Sequence, residues 1–120
     1  MKPTDDLRVK GYQHLMEPNR LKKELAISQT AHATVLYGRD AIERIMRKED
    51  RRLLVVAGPC SIHDAKAACE YAGRLKELSE RVGEAFFIVM RVYFEKPRTS
   101  VGWKGLINDP DLNNTFQIGK

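Results

Sequence analysis

The chain has 120 residues, of which 42% are hydrophobic and 31% charged, and carries a net charge of +5. That bounds it to at most one domain with a modest core, and places it among folded rather than disordered chains. No run of about 18 apolar residues is present to cross a membrane, and the opening MKPTDDLRVK has acids where a secretory leader has an apolar stretch. Two cysteines, Cys60 and Cys69, suit a reducing cytoplasm better than a disulfide framework. The basic excess fits phosphorylated small molecules or nucleic acid. Neither the aromatic interleaving of a single-strand binder nor a nucleic-acid motif accompanies it, so nucleic acid is not the expected partner.

Residues 1 to 31 read as an extension, punctuated by Pro3 and Pro18. Asn19 to Ile27 can form a short helix with Leu21 and Leu25 on one face. Two placements stay open for it, an arm that packs on a partner chain or a helix lying on its own domain. Asp40 to Lys48 is predicted as a helix: Asp40 and Glu43 have capping-box spacing, Ile42, Ile45 and Met46 form a stripe, and Arg47 and Lys48 suit the last turn. Residues 1–50 are thus expected to be an N-terminal extension, arm plus helix, with an oligomeric or regulatory role.

Arg52 to Ala57 (RLLVVA) is apolar after its first residue rather than alternating, the pattern of a parallel strand buried on both faces. Gly58-Pro59 ends it. Asp64 to Val82 reads as an amphipathic helix capped by Asp64, with Ala68, Tyr71, Ala72, Leu75, Leu78 and Val82 as its apolar stripe and Gly83 as its stop. Phe86 to Phe94 is the second strand, which places Arg91 within it, and Asn108 to Lys120 is turn-rich and read as loop. Strand, helix and strand make one βαβ unit. Two such strands do not make a sheet covered on both faces, so residues 51–120 read as the first βαβ portion of a larger α/β domain.

Two motifs leave the ends of these strands. In Gly58-Pro59-Cys60-Ser61-Ile62-His63-Asp64, Cys60 is a metal ligand, a nucleophile or a packed thiol. Cys60 and His63 have C-x-x-H spacing, but two ligands do not close a zinc site, and His63 reads as a structural or supporting group. Cys69 reads as core or plain surface. In Arg91 to Asn108 (RVYFEKPRTSVGWKGLIN) the cations Arg91, Lys96, Arg98 and Lys104 gather with the hydroxyls of Thr99 and Ser100. Arg98 can grip a phosphate with two prongs, Lys96 adds a point charge, Pro97 stiffens the backbone between them and Thr99 adds a donor.

Taken together, GPCSIHD and MRVYFEKPRTSVGWKGLINDPDLN resemble the 3-deoxy-D-arabino-heptulosonate 7-phosphate (DAHP) synthases of the microbial type I, feedback-regulated kind, and the likeness runs through the whole chain. The resemblance implies an α/β fold, the N-terminal part of a (β/α)8 TIM barrel with an N-terminal extension. It implies condensation of phosphoenolpyruvate with erythrose 4-phosphate, the first step of the shikimate pathway. It also implies a divalent metal, Mn2+ or Fe2+, with Cys60 on the metal-ligand position. Arg91 and Lys96 fall on phosphoenolpyruvate positions, and Lys96, Pro97, Arg98 and Thr99 on the erythrose 4-phosphate segment. Lys96, between the two substrates, is the candidate proton donor or acceptor. Asp5 and Asp6 match the acidic pair of an arm that crosses to a neighbouring subunit in a homodimer or homotetramer, with an aromatic amino acid effector, phenylalanine by preference. Other classes stay open from the residues alone: a non-catalytic regulatory or oligomerisation fragment, and a small basic phosphate-binding module.

Overall fold

The computed structural model describes residues 5, 8, 9, 11, 12, 14–97 and 102–118. Pro3, Asp6, Leu7, Arg98, Thr99 and Ser100 lie outside the described residues. Three helices and a two-stranded parallel sheet follow in the order α1 (Pro18–Glu24), α2 (Gln29–Met46), β1 (Leu53–Ala57), α3 (Ala65–Arg81), β2 (Phe86–Met90).

The short helix α1 starts on Pro18, whose fixed φ suits a first helical position, and carries an Arg20–Glu24 ion pair one turn apart at 2.8 Å. It ends at Glu24, before the expected Ile27, because Leu25 leaves helical geometry while its N–H still bonds the Leu21 carbonyl. Among the described residues α1 packs against no other element, with Leu21 and Leu25 facing solvent. The placement of this helix on its own domain is therefore not met. The radius of gyration, 19.7 Å, exceeds the roughly 14 Å of a compact domain of this length.

The expected helix at Asp40 to Lys48 is only the second half of α2. Its start is set by Ser28, whose Oγ accepts the Ala31 N–H at 3.1 Å. Asp40 and Glu43 are not caps but interior residues, paired with Arg44 (3.8 Å) and Arg47 one turn on. The first half was hidden because Thr30, His32, Thr34 and Gly38 blur the apolar period. Ala41 is buried, and Tyr37 sets its ring edge-on to Phe87 of β2 at 6.0 Å.

β1 and β2 pair in parallel with no stagger, Leu53 opposite Phe86 through Ala57 opposite Met90. Helix α3 makes the crossover as expected, with Asp64 Oδ1 accepting the Ala67 N–H at 2.8 Å. Gly83, read as its stop, needs no left-handed backbone; Val82 closes the helix through Leu78. The expectation of strands buried on both faces is not met within the described residues: Leu53 is 64% and Val56 62% exposed. A two-stranded sheet has one helical layer to offer each strand, and that leaves the other face bare. Strand β2 stops at Met90, short of Phe94, so Arg91 lies just past the strand rather than in it.

Candidate functional site

Because the strands are in step, Ala57 and Met90 end side by side and both motifs leave from the same rim. The crossing is close. Arg91 N–H donates to the Ala57 carbonyl at 2.8 Å, and a β-carbon on Gly58 would sit 2.5 Å from the Arg91 carbonyl oxygen. Only glycine leaves room for that approach. Ile62, 3% exposed, then ties the two loops together by donating its N–H to the Tyr93 carbonyl at 2.9 Å.

Three of the residues singled out from the sequence converge here. Lys96 Nζ donates to Cys60 Sγ at 2.9 Å, and Arg91 Nη2 reaches the Cys60 carbonyl at 3.5 Å. The Arg91 guanidinium lies 4.6 Å over the Tyr93 ring, a cation–π contact that orients the charge without neutralising it. Arg91 is exposed, a solvent-facing cation held by an aromatic ring. Pro97 follows Lys96 and is exposed; Arg98 and Thr99 lie outside the described residues. Asp5 is exposed on the N-terminal stretch, and Asp6 is outside the described residues.

The Lys96 backbone is anchored separately. Its N–H donates to the Lys104 carbonyl at 2.5 Å, and Ile107 N–H donates to the Phe94 carbonyl at 3.4 Å. Behind them, Trp103 Nε1–H donates to the Asp109 carbonyl at 2.8 Å, and Asp109 Oδ2 accepts the Asn114 N–H at 3.0 Å. Asp109 is 1% exposed. Gly105, at φ +139°, presses so close to the Phe94 carbonyl that a side chain would collide with it.

This arrangement is suited to anions. Two cations flank a thiol on a rim open to solvent, and a phosphate or carboxylate placed there gains charge-assisted hydrogen bonds from both. A divalent metal fits less completely. Cys60 is a suitable soft donor, but among the described residues no three His, Cys, Asp or Glu side chains lie together. These residues alone do not form a metal site. His63 is exposed, as is Cys69.

At the opposite end of β1, Arg52 clasps Asp50 through Nη2 (2.6 Å) and Nε (3.1 Å), and its backbone N–H adds a bond at 3.0 Å. The side-chain and backbone bonds from Arg52 hold the Asp50 carboxyl down to about 2. The Arg52 guanidinium is pushed up, first by Asp50, against its partial burial, with a further bond to Tyr37. It also lies 5.1 Å over the Phe87 ring, so this cluster joins α2 to both strands.

Sequence reasoning passed over Tyr93, Gly58's close approach, the Asp50–Arg52 clasp and the Trp103–Asp109 contact. The Arg91–Tyr93 spacing, two apart along an extended segment, was the available signal for a stacked pair on one face.

The family model for the DAHP synthetase I family matches residues 22–120. The phenylalanine-inhibited phospho-2-dehydro-3-deoxyheptonate aldolase of Saccharomyces cerevisiae is 50% identical over 119 residues, 99% of this chain and 32% of that protein. The Phe-sensitive enzyme of that name from Escherichia coli is 55% identical over 114 residues, 95% of this chain and 33% of that one. The solved structure of the corresponding aldolase from Francisella tularensis superposes with a TM-score of 0.86 at 46% identity, covering 92% of this chain and 33% of the other. The chain thus spans about a third of the length of the relatives it matches.

Proposed function

Because the chain belongs to the DAHP synthetase I family, we propose that it supplies part of the active site of a DAHP synthase, within a (β/α)8 barrel to which residues 51–120 contribute the first βαβ portion and residues 1–50 an extension. The observation that carries this reading is the meeting of Arg91 and Lys96 at Cys60, from positions 31 and 36 residues away, on the rim where both strands end. Catalytic groups of α/β barrels lie at that end of the strands.

In this reading Arg91 and Lys96 hold the anionic groups of phosphoenolpyruvate, while Lys96, Pro97, Arg98 and Thr99 hold erythrose 4-phosphate. The methylene carbon of phosphoenolpyruvate attacks the aldehyde carbon, forming the new C–C bond. Lys96 gives a proton to the aldehyde oxygen as it becomes a hydroxyl. Water adds at the neighbouring phosphate-bearing carbon and returns one proton to Lys96; its other proton passes to the departing phosphate as the C–O bond breaks, leaving the ketone and inorganic phosphate. The fixed cations stabilise the charge that develops on these oxygens. A divalent metal, Mn2+ or Fe2+, belongs to the same reading with Cys60 as one ligand, its donor set being incomplete in the described residues. So does inhibition by an aromatic amino acid, phenylalanine by preference, through Asp5 and Asp6 on an arm that reaches a partner subunit of a homodimer or homotetramer.

The test is phosphoenolpyruvate consumption with erythrose 4-phosphate and manganese. It is run on the 120-residue chain, and on a chimera in which this chain replaces the matching third of the Escherichia coli relative. Turnover is expected in the chimera and not in the chain by itself. A folded chimera without turnover would defeat the reading.

A further inference from the structure

We propose that Trp103 and Asp109 form a latch that positions Lys96, so that both are positioning residues for the chemistry at Cys60. Lys96 is held in two unrelated ways. Its ammonium meets Cys60 Sγ, and its backbone N–H is bound to the Lys104 carbonyl. Lys104 has no rigid element of its own, since residues 103–105 are neither helix nor strand. What fixes it is the turn that follows. Gly105 lies against the Phe94 carbonyl, and Asp109 donates its N–H back to the Gly105 carbonyl at 3.0 Å. The indole of Trp103 closes the turn from the other side on the Asp109 carbonyl.

Asp109 is the polar residue most completely removed from solvent among those described. A buried carboxylate is retained only where its bonds are worth the desolvation. Its Oδ2 holds Asn114, and its Oδ1 meets no hydrogen-bond partner among the described residues, so packing alone does not explain an acid here. Arg91 is outside this circuit: its anchors are the Ala57 carbonyl, the Tyr93 ring and the Cys60 carbonyl. Opening the latch should therefore displace Lys96 and spare Arg91. The catalytic consequence rests on the function proposed above; the mechanical one does not.

Amide hydrogen exchange on the 120-residue chain tests the mechanics, with Trp103→Phe, which keeps an aromatic ring but removes the indole N–H, and Asp109→Ala, which removes the acceptor for Asn114. Exchange at the Lys96 and Ile107 amides is expected to quicken about tenfold or more, with the Arg91 and β1 amides within about twofold of the parent. Asp109→Asn keeps an acceptor oxygen and should restore slow exchange. Trp103 is the single tryptophan, so its emission should shift to the red in Asp109→Ala and not in Asp109→Asn. Unchanged exchange at Lys96, or quickening spread evenly over the chain, would overturn the latch. In the chimera, the same two variants are expected to lower kcat/KM for phosphoenolpyruvate about tenfold or more, and to cause less than about twofold further loss when added to Lys96→Ala. An equal loss with and without Lys96 would overturn the positioning role. A parent chimera without turnover would remove that role together with the functional reading, leaving the exchange result to judge the latch.

Discussion

Replacing Gly58 with alanine isolates the close approach that sets Arg91. The added carbon would lie 2.5 Å from the Arg91 carbonyl oxygen and 2.9 Å from its nitrogen, where such atoms rest at about 3.5 Å. The backbones at the end of β1 and at Arg91 must part by about 1 Å. The bond from Arg91 N–H to the Ala57 carbonyl, now 2.8 Å, is then stretched out of hydrogen-bonding range. Losing it costs about 1 kcal/mol and the overpacking about 1–3 kcal/mol, so the total destabilisation is about 2–4 kcal/mol. Amide exchange at Arg91 in the chain reads the lost bond. In the chimera the KM for phosphoenolpyruvate should rise about tenfold if Arg91 holds that anion as proposed, since a cation displaced by that distance no longer meets it squarely. A Gly58→Ala protein with a protected Arg91 amide and an unchanged KM would refute the reasoning.

Lys96→Ala in the chimera should reduce kcat by about 100-fold or more, since under the proposed function it removes both a proton carrier and a charge; steady-state assays decide it. Arg91→Ala should chiefly raise the KM for phosphoenolpyruvate, and a variant that instead loses only kcat would reassign the residue. Asp64→Ala removes the cap that accepts the Ala67 N–H and should cost about 1 kcal/mol in a thermal melt. The Asp50 carboxyl is depressed to about 2 by Arg52, below its value of about 3.9 in an unfolded chain. Its contribution to stability is therefore complete above that unfolded value and is lost as the pH falls toward 2. The melting-point gap between the parent and Asp50→Asn should close over that range, and a gap independent of pH would argue that the clasp is not the cause.

The parallel unit was legible because its cues are local: an unbroken apolar run for Leu53–Ala57, and Asp64 opening the amphipathic stretch of Ala65–Arg81. The start of α2 was not, since its cap, Ser28, precedes a segment in which Thr and His interrupt the apolar period. The site was legible as residue types and only half legible as geometry. Spacing joined Cys60 to His63, whereas the fold joins Cys60 to Lys96, a contact set by strand register that no local pattern encodes. Residue identity also said nothing of the Trp103–Asp109 contact, because burial of an aspartate follows from a turn closing over it.

Each strand of the two-stranded ladder has one edge unpaired among the described residues, and LLVVA and FFIVM are both strongly apolar. Such segments are templates for the wrong neighbour while a polypeptide is still emerging from the ribosome. Charge brackets both: Arg51 and Arg52 precede the first, and Glu84 and Arg91 flank the second. Flanking charges of this kind discourage edge-to-edge stacking. Arg52 and Arg91 are thus placed to discourage aggregation before any tertiary contact forms, and substitutions that neutralise them should lower soluble yield as well as local order.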